Sequence, residues 1–213
     1  MPVDIYFEKG YAVMPTINQN KTVKLTVIGA MSALATVIYM LLPEIPLVPG
    51  VEYLKMDLSD VPALLTAVTL GPWSGIAVEV IKNIIHLFRT TTFGIGELMN
   101  VGIGSVIMAA LYGFSRLFSR LFRRHALSPA VYYSASVSAI ACTILAGWLL
   151  NGALTPLYFR LVGIPITTAS ILTGVWGSTL LNAIKASLNL LPLYPLYRAV
   201  ARLFENGFSG QAE

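Results

Sequence analysis

The chain has 213 residues, of which 56% are hydrophobic and only 11% are charged, and its mean hydropathy is +0.73. Because soluble domains usually carry about 25% charged residues, this composition excludes an ordinary soluble protein and predicts an integral membrane protein. The net charge of +4 does not require nucleic acid as a partner, since basic residues at the ends of membrane spans orient a membrane protein. The single cysteine, Cys142, excludes an internal disulfide.

Six apolar stretches predict an all-α membrane protein whose six transmembrane helices form a compact bundle, because each helical crossing of a bilayer requires about 20 residues. The stretches lie at residues 24–42, 58–70, 73–88, 97–118, 130–150 and 168–191. We expect one transmembrane domain over residues 21–204, preceded by an arm at residues 1–20 and followed by a tail at residues 205–213. The arm lacks the basic start, apolar core and cleavage site of a signal peptide.

The first stretch carries small residues at helical spacing. Gly29 and Ala33 form a small-xxx-small pair, which lets a second helix approach closely. From the spacing alone, this face either packs within the chain or receives a separate subunit.

A polar segment at residues 53–62 comes directly before the second stretch. Asp57, Ser59 and Asp60 lie where the second helix should begin. Acidic residues and serine at that position can cap free backbone amides and favour the helix dipole. We therefore expect these three side chains to hold the segment in place.

The third stretch contains ionisable residues that are unusual in an apolar helix. Glu79 and Lys82 are three residues apart, and Lys82 and His86 are four apart, so all three lie near one helical face. Such groups are expensive to bury unless they face the bundle interior or an aqueous cavity. Either a structural pairing of Glu79 with Lys82 or a role in a solute pathway accounts for them. His86 lacks a second ligand at metal spacing and is a poor metal candidate.

The fifth stretch is predicted to end at Asn151 and Gly152. A loop with Pro156, Tyr158 and Arg160 should then lead to the sixth stretch, since proline interrupts a helix. The four arginines that follow the fourth stretch are expected to form a solvated basic flank at the membrane surface.

Basic residues are distributed unevenly between the two sides of the predicted membrane. With a cytoplasmic N-terminus, the inside segments hold about eight Lys and Arg residues and the outside loops about three. The positive-inside rule then predicts that both termini are cytoplasmic. In this orientation the polar segments converge on the outer mouth of the bundle, as a site loaded from outside requires.

Three polar residues in the last two stretches suit recognition of a small molecule. Asn182 and Lys185, one turn apart, present an amide and a cation on one face, and Asn151 adds a second amide. Amides offer paired donors and acceptors and lysine offers donors, which suits a planar heterocycle whose faces are covered by apolar side chains. Taken alone, each asparagine could equally form an interhelical hydrogen bond.

No motif for catalysis is present. The sequence has no nucleophile with a spaced histidine and acid, and no metal cluster. Gly94-Ile95-Gly96 lacks the third glycine of a nucleotide fingerprint, and no G-x-x-x-x-G-K-[ST] loop occurs. The chain is therefore not predicted to be an enzyme, nor to hydrolyse ATP itself.

Several motifs occur together: residues 54–62 with an Asp-Leu-Ser-Asp-Val-Pro core, then Gly71-Pro72, Gly75, Lys82-Asn83, Leu150-Asn151, Pro156-Leu157-Tyr158 and Asn182-Ala183-Ile184-Lys185. In this set the chain resembles the riboflavin-specific substrate-binding (S) components of energy-coupling factor (ECF) transporters. The resemblance covers about residues 24–202, and its Asp-Leu-Ser-Asp-Val-Pro core is fairly specific.

The resemblance implies a prokaryotic cell-membrane protein that binds riboflavin from outside and uses no cofactor. Its partners would be a transmembrane coupling subunit and two ABC-type ATPases, which drive release inside. The residues implied to hydrogen-bond the isoalloxazine ring are Asn151, Asn182 and Lys185. The residues implied to line the pocket are Leu54, Met56, Glu97 and Asn100.

The resemblance also favours subunit docking for the first helix. The family carries an Ala-x-x-x-Ala arrangement there, whereas this chain has Gly29 and Ala33, which keeps the small size. Two alternatives remain at this point: an S component for another vitamin such as thiamine, folate or pantothenate, and a small intramembrane enzyme or scaffold that uses the Glu79, Lys82 and His86 face.

Overall fold

The structure, a computed structural model, describes residues 21–41, 45–46, 55–56, 58–126, 128–163 and 165–199. Most of these residues form six helices: α1 (Lys21–Leu41), α2 (Asp60–Leu70), α3 (Pro72–His86), α4 (Ile95–Phe122), α5 (Pro129–Val162) and α6 (Thr168–Leu190). Two short antiparallel strands, β1 (Ile45–Pro46) and β2 (Lys55–Met56), precede α2. The predicted all-α fold with six helices is confirmed.

The helices differ in how they relate to a membrane. Among the described residues, α1, α4 and α5 are each long and apolar enough to cross a bilayer. α2 has only 11 residues, a rise of about 17 Å at about 1.5 Å per residue, which is less than the roughly 30 Å of a hydrocarbon core. Nine of those 11 residues are buried, so α2 is an enclosed element around which the longer helices pack.

A tight turn joins α2 to α3. Gly71 has a φ of 95°, which glycine adopts without a Cβ clash, and Pro72 begins α3, where no backbone N–H is required. The two helices then approach closely, because a Cβ on Gly75 would lie 2.5 Å from the Cβ of Ala67 and 2.6 Å from the carbonyl oxygen of Ala63. This antiparallel contact brings the later turns of α3 beside the first turn of α2.

The apolar core connects α2 with the inner faces of α4, α5 and α6. Leu64, Met108, Leu111 and Tyr132 are each at most 1% exposed. The Tyr132 hydroxyl donates a hydrogen bond of 2.8 Å to the carbonyl of Leu190. This bond ties the beginning of α5 to the end of α6, and the two helices run antiparallel from there.

The fifth helix differs from the prediction. α5 continues through Pro156, so the predicted end at Asn151 and the loop after it are wrong. Proline removes one backbone hydrogen bond, but packing against neighbouring helices makes proline tolerable in membrane helices, and Thr155 and Phe159 on either side of it are 2% and 3% exposed. The helix ends at Gly163, whose φ of 72° is typical of a C-terminal glycine.

Candidate solute site

A buried polar layer crosses the bundle at the level where α2 begins. Five of the six helices contribute to it directly. Its members are Tyr39 of α1, Asp60 of α2, Glu79, Lys82, Asn83 and His86 of α3, Glu97 and Asn100 of α4, and Lys185 and Asn189 of α6.

Lys82 is the centre of this layer. Its ammonium lies 2.6 Å from Asp60 Oδ1 and 2.8 Å from Glu79 Oε1. The Lys82 and Glu79 side chains are both wholly buried, and the Asn83 amide donates a further hydrogen bond of 2.8 Å to Glu79 Oε1. The predicted pairing of Glu79 with Lys82 is confirmed, and Asp60 is its third member.

Asp60 joins the beginning of α2 to the polar residues of α6, which lie far away in the sequence. Its Oδ2 atom is 3.0 Å from the ammonium of Lys185 and accepts a hydrogen bond of 3.4 Å from Asn189. Asp60 lies in the first turn of α2, where the predicted favourable contact with the helix dipole holds, but the predicted cap hydrogen bond of Ser59 is wrong. The Asp60 carboxylate contacts two lysines, and the Ser59 side chain forms no cap hydrogen bond at the start of α2. Asp57 lies outside the described residues.

Asn100 links Lys185 to α1. Its Oδ1 accepts a hydrogen bond of 3.3 Å from the Lys185 ammonium, and its Nδ2 donates one of 3.0 Å to the Tyr39 hydroxyl. The Tyr39 ring stacks on His86, with ring centroids 3.7 Å apart, and Lys82 lies 5.3 Å from the centre of the same ring. Lys185 and Asn100, which were predicted separately, therefore belong to one hydrogen-bonded network.

Glu97 stabilises the turn that precedes α4 through hydrogen bonds. Its Oε1 lies 2.8 Å from His86 Nδ1, and its Oε2 accepts hydrogen bonds of 2.9 Å from Thr90 and 3.3 Å from Thr92. Both carboxylate oxygens thus have partners within the chain, so the predicted ligand contact of Glu97 stays a prediction. In the part of the chain that is described, no group of three or more His, Cys, Asp or Glu side chains is placed to hold a metal ion.

Asn151 of α5 and Asn182 of α6 both lie close to Gly147 at the interface of these two helices. Asn151 Nδ2 donates a hydrogen bond of 2.8 Å to the carbonyl of Gly147. A Cβ on Gly147 would collide with the amide of Asn182, so this glycine provides the space in which Asn182 lies. Both asparagines are buried, at 1% and 3% exposure.

Asn151 also presents a buried acceptor. Its Oδ1 atom has no hydrogen-bond partner among the described residues. A buried acceptor without a donor costs about 1–3 kcal/mol, which an N–H group of a bound molecule would remove. Gly147 was not predicted as a site residue, although its spacing of four residues from Asn151 is visible in the sequence.

The remaining predicted residues lie outside the polar layer or outside the described residues. Leu54 lies outside the described residues. Met56 belongs to β2, where it is paired with Ile45 of β1. Gly29 and Ala33 are exposed on α1, and a Cβ added to Gly29 would meet nothing within 4 Å, so the packing alternative receives no support at that position.

An apolar helical bundle that encloses a charged and amide-rich layer is typical of membrane transport proteins, because buried ionisable groups there mark solute pathways. The family model for the substrate-specific component of ECF transporters matches residues 23–197, and the chain belongs to this family. It is therefore a membrane-embedded component of a transport system.

Two named relatives are similar in sequence. The riboflavin transporter FmnP of Bacillus subtilis is 32% identical over 128 residues, which cover 59% of this chain and 65% of the relative. The riboflavin transporter RibU of Staphylococcus aureus is 32% identical over 96 residues, which cover 45% and 50% of the two chains. The chain thus spans about half to two thirds of the length of these curated relatives.

A solved structure shares the fold. It is described as the S component of a bacterial ECF transporter and superposes with a TM-score of 0.69, covering 87% of this chain and 99% of that one. At 24% sequence identity, this likeness supports the six-helix fold alone.

Proposed function

We propose that this chain is the riboflavin-binding S component of an ECF-type vitamin importer. It captures riboflavin from outside the cell, and partner subunits supply the energy for uptake. Two kinds of observation support the proposal: the names of the relatives, which are riboflavin transporters, and the chemistry of the buried amides on α5 and α6.

The observation that carries the proposal is the buried Asn151 Oδ1, which has no donor among the described residues. The pyrimidine edge of the isoalloxazine ring alternates carbonyl acceptors with an N–H donor. An N–H of that edge can donate to Asn151 Oδ1, while the amide of Asn182 and the ammonium of Lys185 can donate to carbonyls. These three groups therefore match a neutral planar heterocycle better than a bare ion.

Uptake also requires partners, which we propose to be a transmembrane coupling subunit and two ABC-type ATPases. This sequence contains no phosphate-binding loop of the Walker type, which is consistent with ATP hydrolysis by separate partner subunits. The exposed Gly29 and Ala33 of α1 offer a smooth face on which a partner helix can pack closely. The excess of basic residues in the predicted inside segments supports cytoplasmic termini.

Quenching of riboflavin fluorescence by the purified protein tests the proposal. We expect saturable binding by the wild type, and a loss of affinity of about tenfold or more for Asn151→Leu, because one hydrogen bond to a buried polar group is lost. Thr143→Val is the matched control, since Thr143 is buried on the same helix and its hydroxyl donates a hydrogen bond to the carbonyl of Ala139. Displacement of riboflavin by thiamine, folate or pantothenate at lower concentration would instead favour an S component for that vitamin.

A further inference from the structure

Four charged side chains of the polar layer balance one another. Two carboxylates, Asp60 and Glu79, contact two ammonium groups, Lys82 and Lys185, at distances between 2.6 and 3.0 Å. All four residues are at most 8% exposed. Burying ions is costly even when they are paired. Apolar side chains could therefore hold these helices together equally well, and the buried charges point to a further role.

Lys185 differs from Lys82 in its position. It lies one turn after Asn182 on the inner face of α6, beside the amides that we assign to the substrate. Its ammonium is held from two sides, by Asp60 Oδ2 at 3.0 Å and by Asn100 Oδ1 at 3.3 Å. Asp60 thereby does two things to this lysine: it fixes the position of the ammonium and it compensates its charge.

We propose that Asp60 is a positioning and specificity-determining residue, which makes Lys185 an oriented donor with a compensated charge and so favours neutral riboflavin over its 5′-phosphate ester. This inference rests on the proposed function. Riboflavin itself needs hydrogen-bond partners but no counter-ion. Its phosphate ester carries a charge of about −1.5 to −2 at neutral pH, which loses hydration in the bundle, while Asp60 offsets the attraction that the Lys185 ammonium would exert on it.

Two single variants and their double variant change the charge around Lys185 in known directions. Asp60→Asn keeps the shape of the side chain and leaves the group of four charged side chains with one excess positive charge. Lys185→Gln keeps a hydrogen-bond donor and leaves one excess negative charge, whereas the double variant is balanced again. A unit charge about 10 Å from a phosphate of charge about −1.5 to −2 changes its affinity by about a hundredfold at an effective dielectric constant of about 20.

The experiment measures the dissociation constants of riboflavin and of riboflavin 5′-phosphate for each full-length variant, by fluorescence quenching in detergent. We expect the ratio of phosphate-ester to riboflavin dissociation constants to fall by about a hundredfold in Asp60→Asn and to rise in Lys185→Gln. In the double variant it should return to within about threefold of the wild-type ratio, since the charge is balanced. Thr66→Val, a buried change on α2 whose hydroxyl bonds to the carbonyl of Pro62, should leave the ratio unchanged.

The outcomes separate this inference from the proposed function. If the wild type binds no riboflavin, both the proposed function and the role of Asp60 are refuted. If the wild type binds riboflavin but Asp60→Asn leaves the ratio unchanged, or if the double variant keeps the shift of Asp60→Asn, only the role of Asp60 is refuted. Should Asp60→Asn fail to fold, Lys185→Gln decides alone, because an unchanged ratio in that variant contradicts charge compensation at the site.

Discussion

Lys82 offers a direct test of the buried ion network. Its side chain is wholly buried, and its ammonium contacts Asp60 at 2.6 Å and Glu79 at 2.8 Å. Methionine has a similar length without the charge, so Lys82→Met leaves two buried carboxylates of which only Asp60 retains a lysine partner, Lys185. Removing one member of a buried ion pair costs about 3–5 kcal/mol, and we expect the free energy of unfolding to fall by that amount.

The assay is unfolding by SDS in mixed micelles, followed by tryptophan fluorescence. The double variant Glu79→Gln with Lys82→Met removes the orphaned carboxylate as well, so it should be more stable than Lys82→Met alone. A free energy of unfolding for Lys82→Met within about 1 kcal/mol of the wild type, as for an exposed ion pair, would refute the reasoning. Equal destabilisation in the single and double variants would also contradict it.

Two further predictions concern glycines. Gly147→Ala should weaken riboflavin binding by about tenfold, since its Cβ would displace the amide of Asn182. Gly152→Ala, where nothing lies within 4 Å, is the control, and equal affinities for the two variants would contradict the assigned packing. Gly29→Leu should reduce co-purification with the coupling subunit by about tenfold while riboflavin affinity stays unchanged. Gly113→Leu, equally open on α4, should leave both quantities unchanged, and an intact complex with Gly29→Leu would exclude docking at that position.

The helices were predictable from the sequence because a membrane restricts the backbone structures that a chain can adopt. Every backbone polar group inside a bilayer must be bonded internally, so long apolar stretches are helical. The same reasoning failed at Pro156, which was assigned to a loop. A proline ends most soluble helices, and only the packing of Thr155 and Phe159 against neighbouring helices shows that this helix continues.

The site was predictable in its parts but not in its connections. The amides of Asn151 and Asn182 were recognisable because polar residues are rare in apolar helices. The role of Asp60 was not, since its partner Lys82 lies 22 positions away in the sequence and Lys185 lies on the last helix. Local patterns favoured helix capping, which depends on neighbours within one turn, whereas the ion pairs depend on how α2, α3 and α6 pack.

The central claim is that the buried amides of α5 and α6 hold riboflavin. Mass spectrometry of the ligand released from freshly purified wild-type protein, with Asn151→Leu prepared in parallel, tests it most directly. The account predicts that the wild type releases riboflavin in a near one-to-one ratio and that the variant releases much less. Release of a different vitamin by the wild type, or equal riboflavin from both proteins, would contradict it.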